Sequence, residues 1–193
     1  MAKNQKIIGI NFINDDQDIG SIFVAIVMVE PDFFRKFSWL KLDKEDRLQI
    51  NRTVESTMKS MNDVYIGKIK AENINKAAVI DSIMKEIVLG LNTIPVFWQH
   101  KININIDESE IPILAKHLPR NLRNNMDILK LEKWNLGNKT KVVTLAKRYA
   151  QYHDIIERND IISVWGDYGN GMKDDEKTYE FIEKHPECPY IRK

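Results

Sequence analysis

The chain has 193 residues, of which 43% are hydrophobic and 30% are charged, the composition of a soluble globular protein with one domain. Its formal net charge of +1 excludes the strong overall basic excess that many nucleic-acid-binding proteins show, so any such surface must be a local patch. The single cysteine, Cys188, excludes an internal disulfide, and no apolar run approaches the ~18 residues of a membrane span, so we expect a cytoplasmic protein without a membrane partner.

Two strands joined by a polar turn open the chain. Residues 6–13 and 21–30 are apolar runs rich in β-branched side chains, and the acidic turn between them predicts a hairpin. Residues 44–61 predict a helix with Asp43 as its N-cap. The apolar residues of this helix that fall near helical spacing are Leu48, Val54 and Met58.

Strands and helices alternate after this point. Residues 63–69 predict a third strand, a fourth strand ends at Asp107 within the segment 104–109, and residues 128–134 predict a fifth. Amphipathic helices are predicted at 71–91 and 139–157. Their apolar faces are Ile74, Ala77, Ala78, Ile83, Ile87 and Leu91 in the first helix, and Val142, Leu145, Tyr149, Tyr152 and Ile156 in the second.

The last predicted features are a Gly-rich loop at 168–172 and a short helix at 175–184. Strands that come first as a hairpin and later in alternation with helices predict a mixed α/β sheet with helices on its faces. No repeat, low-complexity tract or Ser/Gly linker divides the chain, which favours a single domain.

The opening hairpin resembles that of ribonuclease HII. That family begins with Gly-Val-Asp-Glu-Ala-Gly-Arg-Gly and continues to a further Gly that leads into a second apolar strand. Gly9 and Gly20 fall at the first and last of these glycines without a gap. The segments 66–82 and 145–151 are similar to two further segments of the family, and the ending 168–193 is similar to its archaeal-style ending.

This resemblance covers nearly the whole chain and implies an α/β fold of the ribonuclease H type. In that fold a mixed sheet has antiparallel hairpin strands followed by parallel strands, helices flank the sheet, and a C-terminal helical extension follows. One ribonuclease HII-like domain would then cover 1–193, with its core at about 5–158 and its C-terminal loop and helix at about 159–193.

The resemblance also implies where the active site would lie. The family uses four carboxylates to hold two divalent cations, and the matching positions here are Asn11, Phe12, Asp107 and Gln151. Only Asp107 keeps a carboxylate, and one Asp cannot anchor two divalent ions. Asn14, Asp15 and Asp16 replace the family's Gly-Arg-Gly loop, and Met172 replaces its junction-reading Tyr. We therefore expect a non-catalytic binding or adaptor protein that uses no cofactor and binds a protein partner.

Two alternatives remain. In the first, carboxylates have moved, and Asp107 acts with Asp15, Asp16 or Asp154 in a Mg²⁺- or Mn²⁺-dependent nuclease that cleaves the RNA strand of RNA–DNA hybrids. In the second, the protein binds nucleic acid without cleaving it. The basic residues that recur along the predicted helix 139–157 and would bind nucleic acid are Lys139, Lys141, Lys147 and Arg148.

An aromatic cluster follows the hairpin. Phe33, Phe34, Phe37 and Trp39 lie within seven residues, around Arg35 and Lys36. Aromatic residues at this density are expected either in the core or in an exposed docking patch for a protein partner. The sequence leaves both interpretations open.

Overall fold

A five-stranded mixed sheet is the centre of the fold. The structure is a computed structural model that describes residues 5–14, 21–70, 76–118, 120–129 and 137–157. The strands are β1 (Ile7–Asn14), β2 (Ser21–Val29), β3 (Asp63–Lys70), β4 (Lys101–Asn105) and β5 (Met126–Leu129). Their order in the sheet is β3-β2-β1-β4-β5. β2 pairs antiparallel with both β1 and β3, whereas β4 pairs parallel with both β1 and β5.

Six α-helices connect and flank these strands in the described part of the chain. They are α1 (Phe33–Lys36), α2 (Arg47–Thr57), α3 (Lys76–Thr93), α4 (Ile111–His117), α5 (Arg120–Arg123) and α6 (Asn138–Glu157). The expected mixed sheet, with antiparallel strands followed by parallel ones and helices around it, is confirmed. The predicted C-terminal loop and helix lie outside the described residues.

The main apolar core lies on the face of the sheet that α3 covers. Successive side chains of a strand point to opposite faces, so Ile8 and Ile10 of β1 face this core and the residues between them do not. Members of this cluster that are fully buried are Ile8, Ile10, Val24, Ile26, Ile83, Met84, Ile87, Leu91, Ile102 and Ile104. The β-branched strand residues thus fill one continuous layer against the helix.

Gly9 lies on the opposite face, where α6 crosses β1. A Cβ atom at Gly9 would lie 2.3 Å from the backbone oxygen of Val142, closer than atoms can approach. Glycine is therefore required here by the contact between a strand and a helix backbone. The next residue of β1 on the same face is Asn11, and it also contacts α6.

Several element boundaries differ from those that the sequence predicts, and the clearest differences are in α2, β4 and β5. The N-cap of α2 is Asp46 and not Asp43, because the Asp46 carboxylate accepts a hydrogen bond from the backbone N–H of Gln49 at 3.1 Å. Leu48 therefore lies in the first turn of the helix and is 57% exposed. β4 ends at Asn105, before Asp107, and β5 begins at Met126.

The chain divides into two compact units, Met1–Tyr152 and His153–Lys193. The sheet and the helices α1 to α5 belong to the first unit, and α6 continues from the first into the second. The single-domain interpretation of residues 1–193 stays a prediction. Within the described ranges no helix is long and apolar enough to cross a membrane.

Candidate functional site

Asn11 lies near the middle of the sheet and is only 2% exposed. Its side-chain Nδ2 donates a hydrogen bond to the backbone oxygen of Val143 in α6, at 3.3 Å, and its Oδ1 accepts one from the backbone N–H of Phe12, at 2.9 Å. Both ends of the amide are thus engaged by the protein itself. A carboxylate at this position has no proton to give to the Val143 oxygen.

Phe12 follows Asn11 in β1, so its side chain points to the other face of the sheet. There it is partly buried and packs against the apolar core under α3. The ring at this position is a core residue, and it offers no oxygen to a metal ion.

Asp107 lies after the end of β4 and is exposed. Its backbone N–H donates a hydrogen bond to the Glu110 carboxylate at 3.1 Å, while its backbone oxygen accepts one from the Glu110 N–H at 2.9 Å. The bond to the Glu110 side chain is one half of a capping box, and it lies at the turn that leads into α4. The position of Asp107 therefore has a structural explanation that needs no metal ion.

Gln151 lies on α6, and its Oε1 accepts a hydrogen bond from Nη1 of Arg148 at 2.7 Å. Eight residues separate Gln151 from Val143, the contact of Asn11, which is about 12 Å along the helix axis at 1.5 Å per residue. A pair of metal ions lies only about 3.5–4 Å apart. Gln151 therefore lies far along α6 from the point where the helix meets Asn11, and its side chain pairs instead with Arg148 of the same helix.

Arg148 is fully buried and ties α6 to the segment that precedes α2. Its Nη1 lies 3.2 Å from Oε1 of Glu45, and its Nη2 donates to the backbone oxygen of Leu42. Burial lowers the pKa of the Arg148 guanidinium, and the charge of Glu45 opposes this.

Glu45 forms ion pairs with two cations, because Nζ of Lys147 also lies 2.7 Å from its Oε1. Partial burial raises the pKa of the Glu45 carboxyl, but the hydrogen bond from Lys147 and the charges of both cations outweigh burial and lower it overall. Both pKa values are lowered, which disfavours the charged form of Arg148 but favours the charged form of Glu45, because Arg148 is fully buried and Glu45 is half exposed. The Glu45 carboxylate and the Leu42 oxygen hold Arg148 as a paired cation.

Of the four basic residues proposed to bind nucleic acid, three are in ion pairs. Lys139 pairs with Asp127 at 2.7 Å, and Lys147 and Arg148 both pair with Glu45. Lys141 lies with its Nζ 5.9 Å from the centre of the Phe34 ring. Because Arg148 is fully buried, it is not part of the exposed basic face that the sequence suggests. A role of the other three in binding nucleic acid stays a prediction.

The four family positions do not fit a pair of divalent cations. Hard cations need several anionic oxygens, and these positions provide two amides already in hydrogen bonds, a core phenylalanine and one exposed carboxylate. Among the residues that the structure describes, no three His, Cys, Asp or Glu side chains form a group that could hold a metal ion.

The relocated carboxylates of the first alternative are only partly described. Asp15 and Asp16 lie outside the described residues, as does Met172. Asp154 lies on the part of α6 that belongs to the unit beginning at His153. A metal site that combines them with Asp107 stays a prediction.

The aromatic cluster divides between core and surface. Phe33 and Phe34 are only 3% and 4% exposed, whereas Trp39 is 58% exposed. The four rings form a row. The distances between neighbouring ring centres are 5.2 Å for Phe34 and Phe33, 4.7 Å for Phe33 and Phe37, and 6.2 Å for Phe37 and Trp39. We call these four residues the aromatic row. Both interpretations thus apply, each to one end of it.

Two acidic residues that hold the candidate site residues in place were not singled out from the sequence. Glu110 is buried and closes the turn after Asp107, and Glu45 holds Lys147 and Arg148. The spacing of Asp107 and Glu110, three residues apart before an apolar run, is a capping-box signal that could have identified the first. The ion pairs of Glu45 span more than 100 residues, and no local pattern predicts such a contact.

No family model matches the chain, and no curated protein matches it. Solved structures do. Ribonuclease H2 from Pyrococcus horikoshii OT3 is 13% identical with a TM-score of 0.58, and the match covers 94% of this chain and 87% of that one. The ribonuclease HII of Archaeoglobus fulgidus, solved as a complex with PCNA, is 18% identical with a TM-score of 0.53 and coverages of 96% and 90%.

A third match is Bst-RNase HIII in complex with Mn²⁺, which is 16% identical with a TM-score of 0.59. That match covers 81% of this chain, which spans about half (54%) of the length of the Bst protein. These likenesses confirm the fold of the type 2 ribonucleases H, the fold that the sequence resemblance implied. Identities this low show the fold alone, and a fold does not determine a function.

Proposed function

We propose that this chain is a ribonuclease HII-like protein that has lost catalysis and works by binding a partner protein. The observation that carries the proposal is the Asn11 amide. It is buried where the family has a carboxylate, and its donor and its acceptor are both used by the protein. A polar group committed to the fold in this way is a structural residue rather than a metal ligand.

The three other family positions support the same conclusion. Phe12 packs in the core, Gln151 accepts a hydrogen bond from a buried arginine, and Asp107 begins a capped turn. Each residue has a structural role where the family needs an anion. We infer that the fold has been retained while the chemistry has been lost, and that no metal cofactor is required.

A protein partner is the interaction that we favour. One of the structures with the same fold was solved as a complex of ribonuclease HII with PCNA, so a protein of this fold does bind another protein. On this chain, the ion pairs of Lys139 and Lys147 reduce the positive charge that nucleic acid would meet. We place the complex in the cytoplasm, since the sequence holds a single cysteine.

A cleavage assay tests the loss of catalysis. The full chain is incubated with a labelled RNA–DNA hybrid and Mg²⁺ or Mn²⁺, beside an Asp107→Ala variant and an active ribonuclease HII. We expect no cleavage above the Asp107→Ala background. Metal-dependent cleavage that disappears in Asp107→Ala would refute the proposal.

The second candidate is a divergent nuclease that uses Asp107 with Asp15, Asp16 or Asp154 and Mg²⁺ or Mn²⁺. One observation favours it. Such a site requires the Phe12 ring to point away from the metal ions, and the ring packs on the other face of the sheet, under α3. The candidate predicts tight binding of Mn²⁺ that is lost in Asp107→Ala. Calorimetric titration with Mn²⁺ that shows no saturable binding would exclude it.

A further inference from the structure

The exposed end of the aromatic row is a candidate contact surface. Tryptophan is a large apolar side chain that folding normally covers in great part, yet Trp39 is 58% exposed. Exposed tryptophans and arginines are the residues that most often dominate the affinity of protein interfaces. Arg35 lies four residues before Trp39, and its side chain is 84% exposed.

The other end of the row anchors Trp39 in the protein. Phe33 and Phe34 of α1 are buried, and Phe37 bridges them to Trp39 through ring distances of 4.7 Å and 6.2 Å. The segment after α1 is fixed again at Leu42, which is buried and whose oxygen accepts a hydrogen bond from Arg148. A side chain supported on both sides loses little entropy when a partner binds.

The segment that carries Trp39 has an excess of positive charge. The segment 31–42 contains three basic residues, Arg35, Lys36 and Lys41, and one acidic residue, Asp32. Asp32 lies 3.6 Å from Arg35 and 3.1 Å from Lys36, and one carboxylate cannot neutralise two cations.

The acidic residues just beyond this segment are paired elsewhere or offset by a neighbouring base. Glu30 pairs with Lys6, and Asp43 is followed directly by Lys44. Glu45 binds the cations of α6, and Asp46 caps α2. Arg35, Lys36 and Lys41 therefore flank the exposed tryptophan along the chain, and we call them its cationic rim.

We propose that this surface, formed by Phe37 and Trp39 with the rim of Arg35, Lys36 and Lys41, binds an acidic peptide segment of a partner protein. An apolar side chain of the segment packs on Trp39, and its carboxylates meet the rim. This inference rests on the proposed function, since it names the surface through which that protein contact forms. A nucleic-acid strand fits less well, because it carries a negative charge on every nucleotide while the net charge of the chain is only +1.

Selection from random phage-displayed peptides on the immobilised full chain tests the inference. We expect the selected peptides to combine acidic residues with an apolar one. Synthetic copies with a fluorescent label are then titrated by polarisation. Trp39→Ala is expected to weaken binding about tenfold or more. The double variant Arg35→Glu and Lys36→Glu is expected to weaken binding and to reduce its dependence on salt.

Trp98→Ala is the matched control, because Trp98 is 54% exposed and lies outside the segment 31–42. It is expected to leave binding unchanged. Unfolding midpoints of both tryptophan variants establish that they fold.

Three results would overturn the inference. They are selection of no peptides, selection of peptides without acidic residues, and equal binding to Trp39→Ala. An oligo(dT) or oligo(U) probe that requires Trp39, while no acidic peptide binds, would likewise replace the peptide with a nucleic acid. None of these results affects the loss of catalysis, which the hybrid-cleavage assay decides. Conversely, Asp107-dependent cleavage would refute the proposed function and leave peptide binding at Trp39 as a separate finding.

Discussion

The hydrogen bonds of Asn11 show how one substitution changes what a position can do. An amide can donate and accept at once, whereas an ionised carboxylate can only accept. At Asn11 the donor meets the Val143 oxygen of α6, so the amide joins sheet to helix. The same atoms in a carboxylate would place a negative charge against a carbonyl oxygen.

We therefore predict that Asn11→Asp destabilises the protein by about 1–3 kcal/mol at neutral pH, the cost of an unsatisfied buried polar group. Burial and the facing carbonyl raise the pKa of the new carboxyl when folded above its unfolded value of about 3.9. The loss of stability is then small below that value and grows as the pH rises through it. Urea unfolding at about pH 4 and about pH 7 measures both effects.

Asn124→Asp is the control, because Asn124 is exposed and the change adds the same charge at the surface. It is expected to alter stability by less than about 0.5 kcal/mol. Equal effects of the two substitutions at both pH values would contradict the structural role of Asn11.

At the scale of elements, α6 is held on both of its sides. Its backbone approaches β1 at Gly9, and Arg148 reaches the segment before α2 through Leu42 and Glu45. A buried hydrogen bond between Thr57 of α2 and Tyr149, at 2.9 Å, adds a third attachment. The region between α1 and α2 therefore depends on α6 for its position.

We predict that Glu45→Gln destabilises the protein by roughly 1 kcal/mol at neutral pH, because Glu45 is half exposed and solvent screens the pair. The pKa of Glu45 is lowered in the folded state from the ordinary value of 4.5. Its contribution is fully present above that value and is lost as the pH falls through the lowered pKa. In urea unfolding, native and variant stabilities should thus converge as the pH falls below the lowered pKa of Glu45.

Asp127→Asn is the matched control, since it removes the carboxylate of another α6 ion pair. Lys139, its partner, is 62% exposed, so solvent can hydrate the released ammonium group and the expected loss is smaller. A larger loss in Asp127→Asn than in Glu45→Gln would show that the burial of Arg148 does not matter.

At the scale of the whole molecule, the net charge of +1 and the ion pairs of α6 predict weak binding to nucleic acid. Non-specific binding of nucleic acid has dissociation constants of about 1–100 µM at physiological salt. At that salt, the full chain should therefore not shift an RNA–DNA hybrid in a gel at protein concentrations below about 1 µM. Single substitutions of Lys139, Lys141 and Lys147 by Ala should leave this unchanged. A hybrid shift that these substitutions reduce would favour the nucleic-acid-binding alternative.

The sequence predicted the mixed sheet because alternating and β-branched runs mark strands whatever their partners. Boundaries were less predictable where several residues compete for one role. Asp43 and Asp46 are both suitable N-caps, and only the hydrogen bond to Gln49 selects Asp46. The burial of Arg148 could not be predicted, because the contacts that stabilise it come from residues more than 100 positions away.

The pairing of β1 has a consequence for how the chain folds. β1 pairs with β2, which begins only seven residues after β1 ends, but its other neighbour is β4, with Ile7 opposite Lys101. During synthesis, one edge of β1 therefore stays unpaired until the ribosome has added the residues of β4, which lie more than 90 positions after their partners in β1. Contacts this distant slow folding, and an open apolar edge invites association with other chains. A chaperone that covers this strand early would therefore prevent such association.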